Sequence, residues 1–341
     1  MNDTGARKLQ AIKVLLPGLN APWEGGGLQI AQRLAALLNH HYSTEIVTYK
    51  RQEQGYSHFE KDRRSFQPNS LYFITWGPHI NQLLRLLNPN PVVYYAQSFG
   101  WDIKLPPSVP IFCVSRYVLA RWTKKAPHNP IFLLPPVIAE ECRNQNLKRD
   151  IDVLIAERKS SRYLLHQLVP RLAQRCHVVV LKEFLPQREF FQLLNRSKIY
   201  LYASDAKLSS GSVEGFGLQP LEAILCGCRV FSNLYGGLSD YLEPALNMHT
   251  LGTFSVEYDM KGILDCLQPE FSEEYQNHVS ALCRYYSQEA FHARVTPIFQ
   301  TVESFFSAIQ GFELEKNNQK YRHNFFLGED WLKKFVKAFF N

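Results

Sequence analysis

The 341-residue sequence predicts an α/β fold of two domains, each a parallel sheet covered by helices. Three observations carry this. Short apolar runs rich in Val, Ile, Leu and Tyr alternate with amphipathic helical patterns, and such alternation implies crossover connections and parallel strands buried on both faces. The series breaks once, at Pro135-Pro136 and the polar stretch 139–150, then restarts with a new apolar strand at 151–155. The length suits two domains of ordinary size, each able to bury a core.

Taken in order, 11–16 (A-I-K-V-L-L) reads as a buried strand, followed by P-G-L-N-A-P-W-E-G-G-G and an amphipathic helix at 28–38. Strand, glycine loop and helix make the first unit of a Rossmann-like domain. The G-x-G-x-x-G fingerprint is absent and no acid ends the second strand, which disfavours a nicotinamide dehydrogenase. Further strands are expected at 45–49, 71–75, 92–95, 111–114 and 131–134, with helices at 79–87 and 116–125. The charged stretch 50–70, with Lys61, Arg63 and Arg64, reads as a solvated connection. In the second half, strands at 151–155, 177–181 and 198–202 enclose a helix at 188–195. A strand near 249–251 and helices from 256 onward complete it.

The expected organisation is a first domain over 1–136, a linker over 137–150 and a second domain over 151–288. A helix over 289–310 crosses back to the first domain, and a tail covers 311–341. The tail ends E-D-W-L-K-K-F-V-K-A-F-F-N. At about 100° per residue, Trp331, Leu332, Phe335, Val336 and Phe339 share one face, and Lys333, Lys334 and Lys337 the other. That pattern suits an interfacial helix at an anionic membrane and equally a helix docked on the protein's own surface.

Composition narrows the class. A hydrophobic content of 45% with 20% charged residues is globular. No run of about 18 apolar residues predicts a spanning helix, and the N-terminus lacks the apolar core of a secretory signal. Seven cysteines without repeated C-x-x-C pairs read as reduced thiols of a cytoplasmic protein, at most peripheral on the inner membrane face. The net charge of +7 is uneven: residues 1–136 hold 15 basic and 7 acidic side chains, the remainder 23 and 24. A basic first half favours anionic partners such as headgroups, lipid phosphates or acidic glycans. No helix-turn-helix, zinc-finger or aromatic RNA-binding signature is present, so nucleic acid is not an expected partner.

The stretch with most chemistry is 212–243, S-V-E-G-F-G-L-Q-P-L-E-A-I-L-C-G-C-R-V-F-S-N-L-Y-G-G-L-S-D-Y-L-E. Glu214 lies in a turn containing Gly211, Gly215 and Gly217. Glu222, eight positions on, lies in a helix of apolar and small residues, 221–225, that stops at Gly227. A strand at 229–231 leads to a second glycine turn, Gly236-Gly237. Glycines admit close backbone approach, and a helix start presents free N–H donors suited to phosphate. A carboxylate further into the helix is placed to grip a pair of sugar hydroxyls.

Two acids at this spacing around G-F-G-L-x-P-L resemble the E-x7-E motif of retaining glycosyltransferases of family 4, which have the GT-B fold of two Rossmann-like domains facing across a cleft. The likeness is strongest over 195–245 and continues in order to about 305. It implies a metal-independent transfer of a sugar from a nucleotide-diphosphate sugar, with no cofactor, to a glycan or lipid-linked acceptor. It places Glu214 by the donor sugar and Glu222 on the nucleotide ribose, with Gly215, Phe216, Gly217 and Leu218 around the donor. Gly26 and Gly27 face the cleft from the first domain. A basic pair after the first strand of the second domain holds the diphosphate. Arg158 matches the arginine, while Lys159 and Arg162 both compete for the second position, and arginine suits bidentate phosphate contact. The loop 182–185 lies where the base binds. Where the family often has a histidine beside the reacting sugar, this chain has Gln97, which donates a hydrogen bond but takes no proton. Front-side attack, with the leaving phosphate accepting the proton, tolerates that change. Two alternatives stay open: a non-catalytic nucleotide-sugar-binding module, and another GT-B enzyme such as an epimerase or phosphorylase. No acidic metal cluster of the D-x-D type is expected in the chain.

Overall fold

The computed structural model describes residues 9–62, 70–75, 77–88, 90–98, 103–203, 214–252, 255–268 and 271–310. The tail 311–341, Gly211 and the Arg63–Arg64 pair lie outside the described residues. The first domain runs β1 (Ala11–Leu16), α1 (Gly26–Leu38), β2 (Ser43–Thr48), β3 (Ser57–His58), α2 (Phe59–Asp62), β4 (Ser70–Ile74), α3 (Ile80–Leu87), β5 (Val92–Ala96), β6 (Ile111–Cys113), α4 (Arg116–Lys125) and β7 (Ile131–Leu133). The second runs β8 (Ile151–Ala156), α5 (Val169–Leu172), β9 (Val178–Leu181), α6 (Gln187–Arg196), β10 (Ser197–Tyr202), α7 (Leu218–Leu225), β11 (Arg229–Ser232), β12 (Met248–Thr250), α8 (Val256–Asp265) and α9 (Glu273–Tyr285). The long helix α10 (Gln288–Gln310) follows.

All pairings are parallel, in the orders β3-β2-β1-β4-β5-β6-β7 and β12-β11-β10-β8-β9. In a parallel sheet both faces are covered, so strands such as Ser70–Ile74 and Val92–Ala96 are buried at every position and read as continuous apolar runs. The order in which strands are added reverses between β1 and β4, and between β8 and β10. Ligands of open α/β sheets bind beyond the carboxyl ends of the strands at such switch points.

Four regions depart from the expectation. The stretch 50–70 is not simply a solvated connection: it adds β3, which pairs with β2, and it buries Glu53 and Phe59. Helix α7 begins at Leu218, three residues earlier than its apolar pattern suggests, and α1 begins at Gly26. In both, glycines at the start obscure the 3.6-residue period. Within the polar stretch after Pro136, Val137, Ile138, Ala139 and Cys142 are buried, so this segment is packed against the domains.

One apolar cluster joins the first sheet to α7, α9 and α10, and a second lies under the other face of the second sheet around Val153, Leu164, Leu168, Leu201 and Phe231. Phe299 of α10 ties the last helix to the first domain. It is fully buried and lies 5.0 Å from the Tyr42 ring and 6.0 Å from those of Phe73 and Phe112.

The helix that carries Glu222 is anchored at its far end. Arg149 donates to the carbonyls of Cys226 at 2.7 Å and Leu194 at 3.2 Å, neutralising the negative end of α7. Gly227 ends that helix at φ 83°, and a Cβ there meets Arg149 Nη2 at 2.5 Å and Asn144 Nδ2 at 2.8 Å. Gly227→Ala is therefore expected to cost about 1–3 kcal/mol from backbone strain and overpacking together, read as a lower urea midpoint at unchanged m-value.

Candidate active site

The sites of both sheets converge because the two carboxyl edges face each other. After β8, Glu157–Lys159 form a single 3-10 turn that turns Arg158 and Lys159 outward at the second switch point. After β10 the chain returns at Glu214. Lys159 Nζ lies 3.0 Å from Glu214 Oε2, which also accepts the Tyr202 hydroxyl at 2.9 Å. Burial pushes the Glu214 carboxyl up, but the Lys159 ammonium and these two hydrogen bonds outweigh it and hold it below its ordinary value. Glu214 is therefore an anion at neutral pH, and Lys159 is half-exposed beside it. Arg158 is exposed and makes no hydrogen bond among the described residues. Arg162 is exposed in the first turn of the next helical segment, after Ser161, whose hydroxyl accepts from Leu164 N at 3.2 Å.

Gly215 and Gly237 let three backbone segments stack. A Cβ on Gly215 would sit 2.0 Å from the Gln97 carbonyl oxygen, and a Cβ on Gly237 would sit 2.0 Å from the Gly215 carbonyl oxygen. Gly237 N also donates to Glu214 O at 2.9 Å. From the first domain, Ser115 caps α4 and donates through its hydroxyl to Gly215 O at 2.6 Å, while Arg116 N donates to Asp240 Oδ2 at 2.8 Å. The turn that carries Glu214 is thus gripped from both domains.

Helix α7 starts at Gly217, φ 79°, with no side-chain cap. Leu218 and Gln219 present N–H groups at its positive end, suited to an anion. Leu218 is nearly buried and reaches the first domain's glycine loop, where a Cβ on Gly26 would lie 3.3 Å from Leu218 Cδ1. Gly27 follows in the same first turn of α1. Phe216 is buried with its ring 5.4 Å from those of Tyr241 and Tyr286, so only its backbone is open to a ligand.

Glu222 is buried, 3% exposed. Gln187 Nε2 donates to its Oε1 at 3.3 Å, and Arg33 Nη2 donates to Gln187 Oε1 at 2.9 Å. Burial raises the Glu222 carboxyl to about 7, against the opposing pull of Gln187 and Arg33. Gln97, at the end of β5, has its Nε2 buried with no hydrogen-bond partner among the described residues, an unmet donor beside the glycine stack.

The structure thus groups Glu214, Lys159, Gly215, Gly217, Leu218, Gly26 and Gln97, and sets Glu222 one layer deeper. It adds Tyr202, Ser115, Asp240, Gln187 and Arg33, which no motif marks. Only Tyr202 carried a signal, as the last residue of a strand leading into the acidic turn.

One expectation is corrected by the sequence itself. The chain does contain a D-x-D, Asp150-Ile151-Asp152. It lies at the amino end of β8, opposite to Glu214, where Asp150 pairs with Arg196 and Asp152 with Lys198. Burial raises Asp152 while bonds from Lys198 and His177 outweigh it, and the Arg196 hydrogen bond holds Asp150 near 2. These acids are tied to cations on the wrong edge for the cleft. Among the described residues no cluster of three or more His, Cys, Asp or Glu side chains is placed to hold a metal, and all seven cysteines are free thiols. Among the same residues no helix is long and apolar enough to cross a membrane.

Two Rossmann-like domains facing across a cleft define the GT-B architecture, and solved structures share it. The chain is similar to a glycosyltransferase from Rickettsia africae, with TM-score 0.62 at 12% identity over 86% of this chain and 98% of that one. It is similar to HepE of Anabaena in complex with UDP and glucose, with TM-score 0.61 at 12% identity over 86% and 100%. It also matches a chain of the GtfA/B complex at TM-score 0.50 and 14% identity, covering 73% of this chain but about three fifths, 61%, of that one. No protein-family model and no curated protein matches the chain.

Proposed function

We propose that the protein is a retaining glycosyltransferase of the family 4 type, moving a sugar from a nucleotide-diphosphate sugar to a glycan or lipid-linked acceptor. The observation that supports it best is the meeting of Glu214, Lys159 and the uncapped start of α7 at the second switch point, opposite the first domain's glycine loop. HepE binding UDP and glucose in the same fold agrees with it.

In this reading the donor diphosphate lies between Arg158, Lys159 and the N–H groups of Leu218 and Gln219. Those charges stabilise the leaving phosphate without a divalent ion. Glu214, kept anionic, sits beside the sugar as positive charge develops on it. Glu222 takes the ribose hydroxyls, for which Gln187 gives way or shares its oxygen. Arg162 is the alternative second phosphate contact. Gln97 offers its unmet N–H to an oxygen on the sugar or acceptor and moves no proton, so the leaving phosphate accepts the acceptor's proton.

Thermal unfolding against UDP-, GDP- and ADP-sugars and the free nucleotides, followed by turnover with and without chelator, tests this. At least one nucleotude-bearing ligand is expected to stabilise the chain, because a ligand bound only to the native form must do so. Turnover is expected to survive chelator. Arg158→Ala is expected to weaken that ligand by about 10- to 100-fold, the worth of a charge-assisted contact. No binding of any of them, or activity abolished by chelator, overturns the reading. The unmet Gln97 donor and absent histidine also favour a binding module without turnover, which the same assays separate as nucleotide affinity with no product.

A further inference from the structure

Beside the linker, where α1 meets the starts of α6 and α10, lies a crevice of about 400 Å³. Its lining excludes Glu214, Arg158 and Lys159 and shares Gln187 and Arg33 with the network around Glu222. Six side chains supply its polar wall: Gln29, Gln32, Arg33 and His40 along one face of α1, with Gln187 and Gln288 from the other two helices. The volume is within the range of ligand pockets, about 300–1,000 Å³, and holds a monosaccharide with a charged substituent.

Arg33 is the unusual member. It is half-buried, and its two protein partners are neutral: Nη1 donates to Val137 O at 2.9 Å and Nη2 to Gln187 Oε1 at 2.9 Å. No carboxylate lies within ion-pair distance of it among the described residues, and Glu222 and Glu141 act on it only from further off. A cation partly removed from water and left without a counter-ion is costly, and a bound anion relieves that cost. Two of the five N–H groups of the guanidinium are used by the protein, which leaves three for a ligand, enough for a bidentate oxyanion contact. The glutamine amides around it carry both donors and acceptors, the complement of sugar hydroxyls.

We propose that this crevice is a second binding site, adjoining the donor cleft at Gln187 but distinct from its Arg158–Lys159 phosphate contacts, for a small hydroxylated oxyanion of the sugar-phosphate or sugar-acid class, with Arg33 on the anion and the glutamine amides on the hydroxyls. It does not depend on glycosyl transfer being the reaction.

The test is calorimetric titration and thermal unfolding of the full chain with glucose 6-phosphate, glucuronate and, as the uncharged control, glucose. Wild type, Arg158→Ala, Arg33→Gln and Gln32→Glu are compared. At least one of the two anions is expected to bind wild type and Arg158→Ala within twofold of each other, raising the melting temperature by roughly 3 °C at ten times Kd. Binding is expected to weaken at least tenfold in Arg33→Gln and in Gln32→Glu, and glucose is expected to give no shift. Which anion binds more tightly distinguishes phosphate from carboxylate. Gln32 makes no hydrogen bond to Val137 or Gln187, so Gln32→Glu decides the matter even if Arg33→Gln fails to fold. Failure of both anions to bind overturns the proposal. So does glucose binding as tightly as the anions, or anion binding lost in Arg158→Ala but kept in Gln32→Glu, which places the anion in the donor cleft.

Discussion

Glu222→Gln is expected to make the protein more stable at pH 8 and at the same time a poorer nucleotide binder. In the native fold burial raises the Glu222 carboxyl from 4.5 to about 7. Between those values the folded protein holds a proton that the unfolded chain has released. The stability this proton contributes is fully present below pH 4.5, is lost as pH rises through 7, and is absent above it. At about 1.4 kcal/mol per unit, wild type gives up about 3 kcal/mol across that window. A glutamine keeps the volume, keeps a partner for Gln187 and carries no charge, so the variant is expected to match wild type near pH 5 and exceed it by several degrees in melting temperature at pH 8. On the proposed function, the carboxylate that costs stability is the one that grips two ribose hydroxyls, and its loss is expected to weaken nucleotide binding at pH 8 by about 10- to 100-fold. Denaturation at pH 5 and 8, with nucleotide titration at pH 8, reads both effects. A variant less stable than wild type at pH 8 contradicts the buried-carboxylate account, and undiminished nucleotide affinity removes the ribose assignment while leaving the stability argument intact.

Gly215→Ala is expected to be the most damaging single methyl in the cleft. Its Cβ meets backbone alone: Gln97 O at 2.0 Å, Gln97 C at 2.9 Å and Ser98 Cα at 3.0 Å. No rotamer change relieves a clash with main chain, so the turn must shift or the domains must part. Either movement strains the Ser115 hydroxyl bond to Gly215 O and the contact from Gly215 O to Gly237. The expected cost is about 3 kcal/mol or more, among the largest for a single substitution, and on the proposed function nucleotide affinity is lost because Glu214 moves with the turn. Gly237→Ala is expected to act on the same stack, and the double variant to cost less than the two added, since once the stack has opened the second methyl meets no new clash. A wild-type melting temperature in Gly215→Ala excludes the stacked geometry.

How legible this was depended on the kind of signal. The strands of both sheets were readable because parallel strands buried on two faces must be apolar throughout, and the break at Pro135-Pro136 separated two such series. The acidic pair of the 214–222 turn was readable because its spacing and glycines are local in sequence. The strand β3 was hidden in a charged stretch, since an edge strand of two residues needs little apolar surface. The early start of α7 was hidden by Gly217, which begins a helix here although glycine alone more often ends one. Phe216 shows the opposite failure: its place in the motif suggested the donor, but its ring belongs to the core beside Tyr241 and Tyr286.

By itself the sequence determined that the chain forms two parallel α/β units, and that Glu214, Glu222 and the basic residues after β8 are the groups to watch. Period, turn chemistry and spacing are properties of neighbouring residues and survive without coordinates. Only the tertiary structure decided which acid stays charged: Glu214 meets Lys159 from a strand end 55 positions away, while Glu222 is sealed in with Gln187 and Arg33. Ionisation depends on what the rest of the fold brings within a few ångströms and how much water it removes, and no local pattern encodes either.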